Sequence, residues 1–331
     1  MRAPTSLFVS WIARPKRTWI TLIVSVVCLA APFVMAWIEG SLAWLADSGR
    51  WRDVLVPPTI ITYILAVAPH QAAMQARVLA SLRPLLVDGD EALNRLARAG
   101  GGITPRTELV AFAIGVLVAV LLSAQGLLVG FTWLELVLLL EVSLMYGLLA
   151  IVIYGSLSST RVTSALLRLP LRVDPLDVSP FEAIGRQSLL LSLVFVGGVT
   201  LSLLFIGVHP EIFLQWEFYV IYTPLISVSI LVFFLNMAPT HRLLQTTRDA
   251  ELKRVGGLIG RECAALVRQL EAGDEATAAA ERISALTAYE ARLLQARTWP
   301  YNTAMLRAAF VSVLIPGGTM VGRVMAELIN R

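Results

Sequence analysis

The stretch from Phe218 to Val255 constrains the fold most strongly, because an uncharged apolar run leads directly into a basic segment. Positions 218–237 contain no charged residue, and about 20 helical residues at 1.5 Å each cross the ~30 Å hydrocarbon core of a bilayer. The positive charges that follow are those of Arg242, Arg248, Lys253 and Arg254. An apolar span that ends in a basic helix is typical of a chain leaving the membrane on the cytoplasmic side.

The composition extends this interpretation to most of the chain. Only 15% of the 331 residues are charged and the mean hydropathy is +0.73, whereas a soluble domain has about 25% charged residues. With several uninterrupted apolar runs, this predicts an all-α, polytopic helical membrane protein. The six predicted transmembrane helices cover about 19–38, 54–73, 109–131, 134–154, 189–208 and 218–238.

The distribution of arginine and lysine predicts the orientation. Six crossings place 25 of the 27 basic residues on one side, and only Arg50 and Arg52 on the other. Because short basic loops stay in the cytoplasm, both termini are predicted to be cytoplasmic. This retention also explains the net charge of +4, so no nucleic-acid partner is expected. The abundance of Arg over Lys, with much Ala and Leu, favours a bacterial inner membrane.

The segment after span six, 239–303, is predicted to be a cytoplasmic helical hairpin. Apolar residues repeat every three or four positions in each half, with Gly273-Asp274 as the turn between them. The apolar stripes comprise Leu252, Val255, Ile259, Cys263, Leu266 and Leu270, and then Ile283, Leu286, Tyr289 and Leu293. We expect the stripes to pack together, and 241–298 to engage a second copy or a cytoplasmic protein. The basic residues could also contact anionic headgroups, at about 1 kcal/mol each, although Asp249 and Glu251 are interleaved with them.

The last segment, 304–331, is predicted to be membrane-associated. Its apolar part, Ala308 to Gly322, lies between two arginines and is interrupted by Pro316. That is short for a crossing, which favours a re-entrant or interfacial segment. The alternative, a seventh span, would carry the final arginines to the outer side.

Two helix starts can be read from local motifs. Thr104-Pro105 has the pattern of an N-cap followed by proline at the first helical position. Ser179-Pro180-Phe181-Glu182 has the pattern of a capping box, in which Ser caps the helix and Glu at the third position bonds back. The second motif predicts the start of the helix that contains span five.

Glu141 is the most informative polar residue, since it lies within an apolar run of span four. A carboxyl in hydrocarbon costs roughly 2.5–3.5 kcal/mol on insertion scales, so such a group normally faces a partner or a cavity. One interpretation is a proton or cation site, or a gate, lined by Ser143, Tyr146 or Gln125. The other is a protonated Glu that hydrogen-bonds to a neighbouring helix.

No motif predicts a cofactor, a metal site or an enzyme. His70 and His241 are expected at helix ends near the inner interface, without the cluster of Cys and His that zinc needs. Cys28 and Cys263 are separated by the membrane, so no disulfide is expected. No phosphate-binding loop, dinucleotide fingerprint, nucleophile elbow or metalloprotease motif is present. An enzyme acting on lipid is therefore the least supported class.

Two functions remain as hypotheses. The first is a non-enzymatic membrane scaffold or sensor, whose helical hairpin engages a partner. The second is a channel or transporter with Glu141 in its pathway, although one intramembrane carboxyl is few for a chemiosmotic transporter. A water-filled cavity at Glu141 would favour transport, and a dry helix seam would favour the scaffold.

The last third also carries a pattern of its own. Pro239 and His241 end a span, Arg248, Glu251 and Leu252 follow, and positions 298–303 read Thr-Trp-Pro-Tyr-Asn-Thr before an apolar segment. This pattern resembles a group of uncharacterised multi-span membrane proteins of bacteria and archaea. The resemblance implies a membrane location and no particular activity.

Overall fold

The computed structural model confirms the all-α class. It describes residues 18–87, 89, 91, 104–127, 132–206, 216–272, 277–301 and 304–308, and single positions 310, 311, 314, 318 and 322. The helices are α1 (Thr18–Ile38), α2 (Leu42–Asp47), α3 (Trp51–Leu82), α4 (Pro105–Leu127), α5 (Trp133–Leu166), α6 (Glu182–Ile206), α7 (Trp216–Ala272) and α8 (Thr277–Gln295). Two 3-10 turns, Arg83–Leu85 and Ser179–Phe181, extend α3 and precede α6. Within these ranges there is no strand, only an isolated bridge between Leu86 and Leu171.

Five of the helices are long and apolar enough to cross a membrane. Their spans are Trp19–Ile38, Trp51–Leu85, Pro105–Ser123, Trp133–Leu166 and Ser179–Phe205. They coincide with the first five predicted spans, apart from 128–131 and 207–208, which lie outside the described residues. The predicted sixth span, 218–238, lies within α7. Of the predicted segment 304–331, positions 304–308 are helical and most of the rest lies outside the described residues.

One end of the bundle, here called the top, is held by a small apolar cluster. Ala36 at the end of α1, Leu45 in α2, Val54 in α3 and Leu134 in α5 are buried together. Four tryptophans near this level are exposed, Trp51 by about a third and the others by more than half: Trp37, Trp44, Trp51 and Trp133. Exposed tryptophans at one level are typical of a membrane–water interface. The guanidinium groups of Arg50 and Arg52 lie over the rings of Trp44 and Trp51 at 5.4 and 5.1 Å.

The middle of the bundle is a core shared by α1, α3, α5 and α6. Cys28, Ile61, Leu148 and Phe195 represent these four helices in one buried cluster. α3 lies centrally, because it packs against α1, α5 and α6. Tyr63 on α3 donates a hydrogen bond to the Val194 carbonyl on α6, at 3.1 Å.

The opposite end, here called the base, contains a second core. Leu82, Leu166, Ile184 and Leu244 bring together the end of α3, the end of α5, the start of α6 and the middle of α7. The connecting segments after α3 and α5 also pair, since the Arg172 N–H donates to the Leu85 carbonyl at 2.8 Å. α3 and α5 therefore continue well past the predicted span ends at 73 and 154, because buried apolar residues continue there.

α4 packs principally against α5, and two glycines permit the close approach. A Cβ on Gly115 would collide with the backbone carbonyl of Tyr146, and one on Gly147 would collide with the ring of Phe112. Small residues at such positions let helix backbones meet closely in a membrane. The rest of α4 is lined by exposed apolar side chains, as expected of a lipid-facing helix.

The C-terminal half of α7 and α8 lie side by side in opposite directions. Glu262 on α7 forms an ion pair with Arg282 on α8 at 3.9 Å, and the Glu251 carboxylate lies beside the Tyr289 hydroxyl. Residues later in α8 therefore contact residues earlier in α7, which makes the two helices antiparallel. The predicted turn at Gly273-Asp274 lies outside the described residues.

One of the two predicted helix starts is confirmed and the other is wrong. Thr104 caps α4, because its hydroxyl oxygen accepts from the Thr107 N–H at 3.3 Å and Pro105 is the first helical residue. Ser179 does not cap α6, because its hydroxyl donates instead to Asp177 Oδ1 at 2.6 Å, and Ser179–Phe181 forms a 3-10 turn. The Ser179 hydroxyl, and then its N–H, hold the pKa of Asp177 below its usual value. The capping box occurs instead at Thr132 and Glu135, at the start of α5.

Candidate functional site

Glu141 lies on the buried face of α5, in line with the residues of the two upper clusters. The helix advances by about 100° per residue, so Leu134, Leu138, Met145 and Leu148 share its face. All four belong to the apolar packing with α1 and α3. Glu141 is 5% exposed. The structure therefore places it in a seam between α1, α3 and α5.

The carboxyl group has no hydrogen-bond partner in this seam. Both side-chain oxygens of Glu141 are inaccessible to solvent and unpaired among the described residues. The Cys28 thiol on α1 lies close enough for an electrostatic interaction with the carboxylate. An unpaired carboxylate in apolar surroundings is costly, so this environment favours the neutral, protonated form.

Ser143 and Tyr146 do not join Glu141. Ser143 and Tyr146 are displaced from it around α5 by about 200° and 140°. Tyr146 interacts instead with Tyr222 on α7, whose hydroxyl is hydrogen-bonded to Ser202 on α6. The side chain of Gln125 lies outside the described residues. The predicted set thus divides between two sides of α5.

A second polar group, which the sequence did not single out, lies between α5, α6 and α7 near the base. Here the Thr160 hydroxyl donates to the Asn236 amide oxygen, and Gln187 Nε2 donates to Ser159 Oγ at 2.7 Å. We call Ser159, Thr160, Gln187, Asn236 and Thr240, which is one turn from Asn236, the base polar layer. Further buried polar residues on the same helices are Ser156 and Thr163 on α5 and Ser188 and Ser192 on α6. The layer contains no charged side chain, and its signal in the sequence is only small polar residues spaced three or four apart.

Two members of this layer are incompletely satisfied. Asn236 Nδ2 and Thr240 Oγ1 are buried and have no hydrogen-bond partner among the described residues. They lie one turn apart on the same face of α7, next to Met237, which is fully buried. Buried polar groups without partners cost about 1–3 kcal/mol each, so the layer is not optimised for stability alone.

Neither predicted helix-end histidine lies at a helix end. His70 is inside α3, which continues to Leu82, and His241 is inside α7, which continues to Ala272. His70 is exposed, and its Nδ1 lies 3.3 Å from the Ala66 carbonyl. The prediction was wrong because both helices continue past the predicted ends of their spans.

His241 fixes the chain that returns from α8. Its ring stacks on Trp299, with centroids 3.9 Å apart and planes 8° apart, and its Nδ1 lies 3.1 Å from the Thr298 carbonyl. The next residue, Pro300, places its carbonyl against Gly185 of α6, where a Cβ would collide. Tyr301 then packs near Phe233 on α7, with ring centroids 6.4 Å apart. We call this contact set, residues 298–301 on His241, Gly185 and Phe233, the return clamp.

Among the described residues, no three His, Cys, Asp or Glu side chains come together in a way that could hold a metal ion. No protein-family model matches this chain, and no curated protein or solved structure matches it either. Its function is therefore inferred from its own geometry.

Proposed function

We propose that this chain is a non-enzymatic membrane scaffold or sensor, in which six spans carry a cytoplasmic helical hairpin that engages another protein or a second copy. The observation that carries this proposal is the continuity of α7. One helix of 57 residues begins two residues before the predicted sixth span and continues to the far end of the hairpin. At 1.5 Å per residue it is about 85 Å long.

The continuity of α7 couples the two parts mechanically. α7 packs on α6 in the bundle and on α8 in the hairpin. Pro239 lies inside the helix without ending it. A rotation or tilt of α7 in the membrane domain therefore moves the hairpin, as a transmitting element of a sensor requires.

The return clamp fixes the second arm of the hairpin to the same bundle. Trp299 and Pro300 attach the chain after α8 to α7 and α6. Both arms are thus anchored at the base, and the hairpin projects as one unit. An anchored hairpin fits a presenting surface better than a loosely tethered tail.

The distal part of the hairpin offers apolar side chains to a partner. Val267 and Leu270 on α7 are 52% and 61% exposed. The inner stripe packs between the arms, with Val255 and Leu293 buried. Some of the apolar surface therefore remains available after the two arms have packed together.

The proposed orientation places the base and hairpin in the cytoplasm of a bacterial cell and the top outside. The exposed basic residues favour this, since Arg161, Arg168, Arg186 and Arg242 all belong to the base. We propose anionic headgroups as their lipid partners. At the top, Arg50 and Arg52 lie over tryptophan rings.

A shortened hairpin tests the scaffold. Removing 259–272 from α7 and 277–283 from α8 takes away the distal end of the hairpin, including Val267 and Leu270. The remaining arms keep Val255, Leu293 and the return clamp. Assembly is measured by cross-linking and mass analysis of the full chain in native membranes. We expect wild-type chain in a larger complex and the shortened chain as an isolated protomer that still inserts. An unchanged complex would reject the proposal.

A matched pair of point variants locates the surface. Leu270 and Leu294 are almost equally exposed, at 61% and 63%, but Leu270 is distal while Leu294 is near the base. Leu270→Ser should weaken the cross-linked complex, and Leu294→Ser should leave it intact. The reverse result would move the contact surface to the base.

The alternative, a channel or transporter with Glu141 in its pathway, receives less support. The residues that share a face with Glu141 are apolar, and Ser143 and Tyr146 point elsewhere on α5. A conduction path needs polar lining along one face. Flux in proteoliposomes that is abolished by Glu141→Gln would restore this alternative.

A further inference from the structure

The surroundings of Glu141 fit the neutral, protonated form of its carboxyl group. Its two oxygens are buried and unpaired in the described structure, so a negative charge there has no counter-charge and no donor. A charged carboxylate would have to recruit water or a cation into the seam, whereas a neutral carboxyl can remain as it is.

α1 is the helix that covers this carboxyl most lightly. It packs against α3 and α5, and its opposite side is open, with Leu22, Val26 and Val27 largely exposed. The larger Val24, Phe33 and Met35 are only half-buried, and the last two belong to the top cluster. The fully buried side chains of α1 are small: Ser25, Cys28, Pro32 and Ala36. Small contacts contribute little dispersion and apolar burial per residue, so separating α1 costs less than separating α3 from α6.

The top of α1 is tied more firmly. Glu39, just after α1, accepts hydrogen bonds from the backbone N–H groups of Trp133 and Leu134 at the start of α5. α1 is therefore pinned at its top and lightly packed beside Glu141. A separation below the pin would open a route from water to the carboxyl.

We propose that Glu141 is a proton-binding site of the membrane domain, and that loss of its proton loosens α1 from the seam with α3 and α5. The O–H bond of the carboxyl breaks, its electron pair stays on the oxygen, and the proton passes to water that enters beside α1. Reprotonation reverses the step and closes the seam. This site goes beyond the partner-binding role of the hairpin and does not depend on it.

The other titratable groups near the seam are few. On α1, Cys28 faces the carboxyl. On α3 the acid is Asp53, next to Val54 of the top cluster, and on α5 it is Glu135 in the capping box. These two acids lie at the top, as does the carboxylate of Glu39 that binds the start of α5. All three are about two helical turns above Glu141, so the Glu141 carboxyl itself dominates the charge of the seam.

Cys28 provides a built-in reporter for the test. The chain has two cysteines, so Cys263→Ser leaves the Cys28 thiol as the one target for alkylation. The full chain is reconstituted in liposomes, and the rate of reaction with a small membrane-permeant maleimide is measured across pH. A Glu141→Gln partner variant keeps the Cys28 thiol but has no carboxyl to titrate. Because a charged Glu141 disfavours the Cys28 thiolate, a faster reaction with Glu141 present must come from better access to the thiol.

The ratio of the two rates isolates Glu141. We expect the rate with Glu141 present to rise roughly tenfold more than the rate with Glu141→Gln between about pH 6 and about pH 9. A ratio that stays constant over this range would overturn the proposal. Both variants must insert and be equally monodisperse for the ratio to be taken.

A second measurement uses no substitution at Glu141. Hydrophobic carbodiimides react with protonated carboxyls in apolar surroundings, and the adduct can be located by peptide mass analysis. We expect an adduct on Glu141 near about pH 6 that declines toward about pH 9. A chain that is unlabelled at Glu141 at every pH would contradict a neutral buried carboxyl. The exposed carboxyls of the tail, which are surrounded by water, are the control and should stay unlabelled.

Discussion

Glycine has opposite effects at two helical positions of this chain. At Gly115 an added Cβ would meet the Tyr146 carbonyl and, at 2.8 Å, the Gly147 Cα, both of which are backbone atoms of α5. At Gly256, on the exposed hairpin, an added Cβ would meet nothing within 4 Å. The first glycine is required by packing, and the second only lowers helix stability.

Alanine at these two positions should therefore act in opposite directions. We expect Gly115→Ala to destabilise the bundle by about 1–3 kcal/mol, because backbone atoms cannot yield as a side chain does. Gly256→Ala should stabilise by about 0.5–1 kcal/mol, because it relieves the entropy that glycine loses in a helix. Thermal unfolding in detergent measures both. Equal shifts would show that α4 and α5 are not in such close contact.

The base polar layer offers a second contrast between like residues. Thr160 donates to Asn236, while Thr240 Oγ1 is buried and unpaired among the described residues. Thr160→Val should cost about 1 kcal/mol through the lost interhelical bond. Thr240→Val should be neutral or stabilising, because a methyl group replaces an unsatisfied hydroxyl. The thermal unfolding midpoints of the two variants measure these changes in stability. A lower midpoint for Thr240→Val would reveal a hydrogen-bond partner for that hydroxyl.

Buried charged residues were easier to recognise from the sequence than buried neutral polar residues. Glu141 was identified because a carboxyl in an apolar run is conspicuous. Gln187 and Asn236 were not, because neutral polar residues near span ends are common and their pairing depends on three helices meeting. Ser143 and Tyr146 were grouped with Glu141 by proximity in sequence, whereas helical rotation separates them.

Among the elements, helix extent was the least predictable property. Hydropathy identified where α3 and α5 are apolar, but both continue into the base, where Leu82 and Leu166 are fully buried. Burial there comes from packing against Leu244 and Ile184, which a local window cannot register. The same limit explains why His70 and His241 lie within helices.

The return clamp holds the chain after α8 through the stacking of Trp299 on His241, in addition to the packing of α8 on α7. Trp299→Ala removes the ring stacked on His241, so we expect faster amide hydrogen exchange in the last turns of α8 while α7 stays protected. Leu294→Ala, which truncates an exposed side chain on the same helix, serves as the control and should leave exchange unchanged. Identical exchange in both variants would show that α8 is held by its contacts with α7 alone.

For the whole molecule, the proposed threading rests on the count of crossings. The structure supplies five helices able to span, and the sixth crossing is proposed within α7. The arginine pattern constrains only the parity of the crossings, and that pattern is a property of the entire chain. Local helix propensity carries no information about this parity.

Cysteine labelling in intact cells tests the threading. A Cys28→Ser chain retains Cys263 on the hairpin, and adding Ser48→Cys to it provides a position at the top. We expect an impermeant maleimide added outside to label position 48 and to reach Cys263 only after the cells are opened. Outside labelling of Cys263 would require an odd number of crossings before the hairpin.

The stacking of His241 on Trp299 has a consequence for how such a chain can diversify. The two residues that flank the hairpin are in contact, so the hairpin is an insertion whose ends meet at one point of the bundle. A hairpin of another length or sequence could therefore replace this one without changing the packing of the membrane helices.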